Sequence, residues 1–487
     1  MQTNFSPEQR ADPKIAEAEA ILRKCVHCGF CTATCPTFLV IGDELDSPRG
    51  RIYLIKDMLE KGGHATGEVA RHLDRCLTCL SCMTTCPSGV DYMHLVDYAR
   101  VRVEKSHRRP LADRAMRALL AFVLPYPTRL RAALAAAVYG APLKPLLARL
   151  PGGFKRLAAM LDLAPRPMAP RVPTEAAGTY AALGTRRGRV ALLAGCAQPV
   201  LTPEVNQATI SLLTRNGIEV VQSPKAGCCG ALVHHMGREA TALDQARRNV
   251  DAWTAEIENG GLDAILITAS GCGTTVKDYG HMLRLDPAYA EKAARVSALA
   301  KDVSQYLATI DLPPPAVETG FTVAYHSACS MQHGQRIRRE PKLLLEKAGF
   351  VVRDVPEGHI CCGSAGTYNV MQPEIARKLR DRKVGNIESL APDIIATGNV
   401  GCAMQIGSGT AIPVVHTVEL LDWADGGLMP QSLVEAGLAK RRMTERAAAQ
   451  AAAEREARAA AEAAEEAAAE AAVGAAEAEP GRAPETA

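Results

Sequence analysis

The chain has 487 residues, 47 % of them hydrophobic and only 4 % aromatic, with sixteen cysteines and a formal net charge of +3. That length allows two to four domains with cores of their own, and sparse aromatics without basic interleaving argue against a nucleic-acid-binding module. Residues 1–20 are polar and charged, lacking the apolar stretch of a secretory signal, so the expected compartment is the reducing cytoplasm, where thiols serve as ligands rather than disulfides.

Eight cysteines fall in two runs, Cys25, Cys28, Cys31, Cys35-Pro36 and Cys76, Cys79, Cys82, Cys86-Pro87. Both read C-x2-C-x2-C-x3-C-P, a spacing that gathers three thiolates on one iron-sulfur cube and sends the fourth to a second cube. Crossed ligation then assigns Cys25, Cys28, Cys31 and Cys86 to one [4Fe-4S] cluster and Cys76, Cys79, Cys82 and Cys35 to the other. The rival, structural zinc, takes two separated C-x2-C pairs or mixed Cys/His ligands. His27 reads as a surface neighbour of the cluster, because four cysteines already complete the coordination. Between the runs, Ser47-Pro48-Arg49-Gly50-Arg51 leads into a helical pattern over 52–60, and a second helix is expected over 92–103. Residues 1–103 thus read as an all-helical ferredoxin domain.

Residues 104–188 read as a basic helical linker region. Over 100–171, fifteen Lys or Arg face three acids, Glu104, Asp113 and Asp162. The uncharged runs, 118–128 and 132–143, have 11 and 12 residues, short of the roughly 20 that span a bilayer. This stretch is either a docking surface for an acidic partner or anionic lipid, or a linker with solvated arginines.

An internal repeat follows. Cys196, Cys228-Cys229-Gly230 and Cys272 recur as Cys329, Cys361-Cys362-Gly363 and Cys402, offset by 133 residues for the first three cysteines and by 130 for the last. Such agreement points to duplication. Each copy carries the same pattern: strands over 189–194 and 321–325, helices over 205–216 and 340–348, then strands over 218–222 and 350–354 and over 263–268 and 393–397. This alternation predicts two α/β domains with parallel sheets, 189–318 and 319–440, with the cysteines at the carboxyl ends of strands. Adjacent cysteines do not readily pair with each other, so a further cluster or metal is the expected use of Cys196, Cys228, Cys229 and Cys272, and of Cys329, Cys361, Cys362 and Cys402. Small buried hydrophobes are the alternative.

His234-His235 have no equivalent in the second copy and are candidate contacts for quinone or a flavin partner; His416 stays unassigned at a strand edge. Residues 441–487 read as an Ala/Glu-rich helical or disordered tail. With neither a dinucleotide fingerprint nor a P-loop, the chain is expected to move electrons rather than perform substrate chemistry.

The two ferredoxin runs, the Ser-Pro-Arg-Gly-Arg spacer and the paired Cys-Cys-Gly units resemble, over about residues 10–422, the iron-sulfur subunits of bacterial glycolate oxidase. Lactate-utilisation iron-sulfur proteins, the third subunit of anaerobic glycerol-3-phosphate dehydrogenase and the Cys-Cys-Gly subunits of heterodisulfide reductase are related. The resemblance implies the electron-transfer subunit of a flavin-linked glycolate dehydrogenase. FAD would sit on partner flavoprotein subunits that oxidise glycolate to glyoxylate, and this chain would pass electrons toward quinone or another acceptor at the inner face of the cytoplasmic membrane. The equivalent subunit for lactate or glycerol 3-phosphate, and a heterodisulfide-reductase-like catalytic subunit, are the alternatives. Heterodisulfide reductase-type domains close with C-x2-C and can hold a non-cubane cluster. Here 272–275 reads Cys-Gly-Thr-Thr and 402–405 reads Cys-Ala-Met-Gln, so both copies lack the closing cysteine.

Overall fold

Proline opens four of the first helices, where its missing N–H leaves no bond unmade. The structure, a computed structural model, describes residues 1–149, 156–158, 160, 161, 168–438, 456 and 460. The chain divides into two units, 1–430 and 431–487. In the second unit a helix spans Gln431–Glu435; apart from Glu456 and Ala460, the expected tail lies outside the described residues.

The first unit begins with α1 (Pro7–Arg10), α2 (Pro13–Lys24), α3 (Pro36–Ile41), α4 (Pro48–Glu60), α5 (Gly67–Asp74), α6 (Ser81–Thr85) and α7 (Tyr92–Ser106). Leu22, Ile55, Leu73, Leu95 and Val96 form its fully buried core. The spacer motif has a local role: Ser47 caps α4 by accepting from the Gly50 amide, and Pro48 is the first helical residue. Next come α8 (Leu111–Val123), α9 (Pro127–Gly140) and α10 (Lys144–Arg149).

Two sheets follow. The first holds β1 (Gly178–Tyr180), β2 (Gly188–Leu192), β3 (Ile218–Gln222), β4 (Ala264–Ile267) and β5 (Ala300–Asp302) in the order β1-β3-β2-β4-β5. The second holds β6 (Thr322–His326), β7 (Val351–Asp354), β8 (Ile394–Thr397) and β9 (Val414–His416) in the order β7-β6-β8-β9. Without β1 the two orders are the same, so the duplication read from cysteine spacing extends to topology. Every pairing is parallel except that of β1 with β3. The fully buried Ala-Ile-Leu-Ile of β4 and Ile-Ile-Ala-Thr of β8 suit parallel strands covered on both faces. β1 falls inside the stretch expected to be helical linker. A three-residue Gly-Thr-Tyr strand is too short to leave a periodic signal.

The helical front packs on the first sheet domain through charged contacts. Glu17 accepts from His281 at 2.6 Å, and Lys14 reaches Glu239 at 2.5 Å. His94 lies between Asp91 (2.7 Å) and Asp278 (2.8 Å), its ring stacked 3.5 Å from that of His281. Burial alone would lower the pKa of His94, but the two carboxylates outweigh it and push it up to about 10. The contact therefore contributes stability in full below the unfolded pKa of about 6.5 and loses it as pH rises toward the folded value. In a denaturation series across that window, the midpoint is expected to fall in the native chain and to fall less in His94→Gln. Equal pH slopes for the two proteins would remove this role.

Candidate metal centres

The two ferredoxin runs share one backbone path. His27 and Thr78, each between the first two cysteines of its run, have φ of 55° and 50°, and Gly29 and Leu80, between the next two, have 83° and 61°. These left-handed turns curl each run so that its thiols converge. Cys25, Cys28 and Cys31 line one cavity together with Cys86. Cys76, Cys79 and Cys82 line another together with Cys35, and Cys82 borders both.

Their surroundings differ. Cys28 is exposed, and its neighbours Val26 and Phe30 are 67 % and 62 % exposed; His27 is exposed too. In the second group Cys35, Cys76 and Cys79 are buried and Cys82 is half-buried. Around it, the Arg51 guanidinium reaches Cys35 Sγ at 3.9 Å, Thr37 Oγ1 lies 3.2 Å from the same sulfur, and the Tyr92 hydroxyl is 3.8 Å from Cys76 Sγ. Burial pushes the thiols of Cys79 and Cys82 well above their usual range, and that of Cys31 up to about 11. Without a cation among them these sulfurs keep their protons, and a bound metal displaces those protons. Soft donors facing small cavities beside a buried guanidinium thus fit an iron-sulfur cluster.

In the repeats, Cys196 and Cys329 follow β2 and β6, while Cys272 and Cys402 lie on helices Ser270–Lys277 and Val400–Gly407. Gly230 and Gly363, after the paired cysteines, both have φ of 90°, and a Cβ there would come within 3.1 Å of the Ala242 carbonyl and 2.6 Å of the Ala376 carbonyl. Only glycine lets the Cys-Cys turn sit this close to the following helix. Cys329 Sγ is 3.7 Å from Cys361 Sγ. In the first copy, bonds from Cys196 and Cys229 pull the Cys228 thiol down to about 4, while Cys196 and Cys229 are pushed well up. In both copies the paired cysteines lie within reach of other thiols, a grouping of soft donors that suits a metal.

All eight repeat cysteines line a single cavity of about 430 Å³, with Cys76 at its edge. Its roof is apolar: Leu119, Leu120 and Val123 of α8, with Leu130 and Leu134 of α9. The basic stretch is therefore neither a plain linker nor wholly solvated. Arg109, with a side chain 7 % exposed, pairs with Asp74, Glu104 and Asp113, and buried Arg117 donates to the Met236 carbonyl at 2.9 Å. Both arginines point inward because carboxylates and a carbonyl from distant segments satisfy them there.

Cys79 packs with Leu77, Cys361 and Tyr368, and Cys329 lies against this cluster. The buried ferredoxin group thus adjoins the cysteines of the second repeat. His234 and His235 face Asp97 of α7 at 3.4 and 3.3 Å, so they tie the front to the repeats, although His235 also lines the large cavity. His416 accepts from the Val418 amide and donates to the Thr268 carbonyl at 2.7 Å, joining the two copies. At the positions of the absent closing cysteines, Thr275 donates to the Gly271 carbonyl and Gln405 to the Ala376 carbonyl. One residue that the spacing did not mark is His326, whose ring nitrogen lies within 4.8 Å of the sulfurs of Cys362 and Cys402.

The model of the Cysteine-rich domain family matches residues 190–277 and 323–407, and that of the 4Fe-4S dicluster domain matches 21–90. The chain is 44 % identical over 424 residues to the glycolate oxidase iron-sulfur subunit of Escherichia coli (strain K12), covering 87 % of this chain and 99 % of that one. The chain belongs to the glycolate oxidase iron-sulfur subunit family. A probable glycolate oxidase iron-sulfur subunit of Bacillus subtilis (strain 168) is 32 % identical over 432 residues, 84 % of this chain and 95 % of that one. Lactate utilization protein A of Geobacillus thermodenitrificans (strain NG80-2) is 27 % identical over 241 residues, 48 % of this chain and 98 % of that one. A hypothetical protein from Helicobacter pylori shares the fold at a TM-score of 0.50 and 11 % identity, covering 87 % of this chain and 74 % of that one. This chain is thus an iron-sulfur member of an oxidoreductase complex, with a 4Fe-4S dicluster domain and two cysteine-rich domains. Among the described residues no helix is long and apolar enough to cross a membrane.

Proposed function

We propose that this chain carries electrons from a flavoprotein partner, which oxidises glycolate to glyoxylate on FAD, to quinone. Cys25, Cys28, Cys31 and Cys86 hold a surface [4Fe-4S] cluster, and Cys76, Cys79, Cys82 and Cys35 hold a buried one. The observation that carries this reading is the succession of sulfurs from the exposed group, through the buried group, to Cys329 and Cys361 at the large apolar cavity. Bound clusters supply reversible one-electron steps. The chain's own residues set who meets them: Val26 and Phe30 leave the outer group open to a partner, while leucines of α8 and α9 give the inner end an apolar lining. Glycolate, rather than lactate or glycerol 3-phosphate, is favoured by the likeness to the Escherichia coli subunit over nearly its whole length. Disulfide reduction is disfavoured by Thr275 and Gln405 at the closing positions.

Exposed Leu111, Phe122, Tyr139 and Leu143, on the same stretch as exposed Arg114 and Arg129, suit peripheral contact with an anionic leaflet. The test is anaerobic reconstitution of the full chain with the flavoprotein subunits of a glycolate oxidase. Glycolate is expected to reduce its clusters, read by low-temperature EPR. Iron should reach about eight per chain from the ferredoxin runs, and about twelve to sixteen if the repeats also hold clusters. Cluster reduction by lactate or glycerol 3-phosphate but not by glycolate would overturn the substrate, and zinc in place of iron would overturn the reading.

A further inference from the structure

The two cysteine-rich copies are chemically unequal. His326 ends β6 at the register held in the first copy by Leu193, 133 residues earlier. Its side chain is buried, 2 % exposed, and its Nε2 makes no hydrogen bond. One of its ring nitrogens and the sulfurs of Cys362 and Cys402 all lie within 4.8 Å of one another. Buried imidazoles ordinarily find a partner, and the polar atoms grouped with this one are thiol sulfurs. Neutral imidazole nitrogen and thiolate sulfur together are a donor set for iron or zinc. A second asymmetry lies beside it: Asn399 Nδ2 donates to Cys402 Sγ at 3.2 Å, where the first copy has Ala269, 130 residues earlier.

We propose that His326 is a metal ligand of the second cysteine-rich copy, in a mixed imidazole and thiolate set with Cys362 and Cys402, whereas the first copy binds through thiolates alone. This rests on reading the repeats as metal-bound. Exchanging a thiolate for a neutral imidazole removes one negative charge from the site, and the N–H of Asn399 drains charge from a remaining sulfur. For an iron centre both raise the reduction potential. The second copy, which adjoins the buried ferredoxin group through Cys79, is then the more oxidising of the two.

The test uses the full chain purified without oxygen, with and without ring-¹⁵N histidine. Pulsed EPR reads nitrogen coupling at a reduced iron centre, and X-ray absorption at the zinc edge covers a spin-silent ion, where a nitrogen shell would lie at about 2.0–2.1 Å. The native chain is expected to show histidine nitrogen on the metal, and His326→Leu, which installs the residue of the first copy, to lose it while the signals of the two ferredoxin clusters persist. His326→Cys should retain the metal without the nitrogen and, for an iron centre, lower its potential. Metal in the second copy without histidine nitrogen, or nitrogen coupling that survives His326→Leu, overturns the proposal. If the double variant Cys361→Ala, Cys362→Ala keeps its full metal content, the metal-bound reading of the repeat itself fails, and the proposal with it.

Discussion

Replacing Cys35 by serine is expected to abolish the cluster built on Cys76, Cys79 and Cys82, and to leave in place the one built on Cys25, Cys28 and Cys31. Cys35 belongs by sequence to the first run, but it directly precedes α3 at the cavity of the second group, with its sulfur beside Arg51 and Thr37. Cys86 → Ser should do the reverse, because Cys86 lines the cavity of the first group. Each variant should lose about four irons per chain, and the two should lose different EPR signals. The functional loss in Cys35→Ser should be near complete. The group it disrupts lies between the surface group and the sulfurs of Cys329 and Cys361, so glycolate-driven reduction of an acceptor would fall to background even with the surface cluster intact. Loss of the surface signals in Cys35→Ser would instead establish ligation within each run.

Arg51→Met is expected to destabilise the folded chain by about 3–5 kcal/mol, the range for breaking a buried ion pair by removing one partner. Arg51 is 1 % exposed and Asp46 is fully buried. The guanidinium donates to the His72 carbonyl at 2.7 Å and to Thr37 Oγ1 at 3.0 Å, and reaches Asp46 at 3.3 Å. Burial alone would lower its pKa, but the thiolate that Cys76 would present to a bound cluster, with Asp46 beside it, outweighs burial and raises it, so the guanidinium stays charged. Methionine fills much of the same volume, so the loss measures the polar network rather than a cavity. Asp46 would keep His72 at 3.0 Å and Arg75 at 2.8 Å, which sets the expectation below that for an isolated buried carboxylate. Arg51→Lys should recover part of the loss, since an ammonium keeps the charge without the planar fork. Anaerobic denaturant unfolding measures both variants; a loss under about 1 kcal/mol for Arg51→Met would place the network among the weak surface ion pairs. The same substitution removes a positive charge beside Cys35, so the potential of the buried cluster should fall.

Elements with a local cause are legible in the order of residues. Three cysteines with two residues between each neighbouring pair converge through the left-handed turns at His27 and Gly29 and at Thr78 and Leu80, and the doubled Cys-Cys-Gly announces two copies of one parallel unit because each copy repeats the same strand and turn chemistry. Other features emerge when distant segments meet. Arg109 reads as a solvated charge until it meets Asp74, 35 residues away, and Arg117 until it meets the Met236 carbonyl, 119 residues away. The leucines of α8 and α9 read as linker until they close over sulfurs from both repeats. His326 is a lone histidine at a strand end until parallel pairing and the following turn bring Cys362 and Cys402 to it, although Leu193 at the same register was a legible hint. The reason is common to all of these: ligand spacing and turn conformation are properties of adjacent residues, whereas the fate of a buried charge or imidazole depends on partners that only the packed chain supplies.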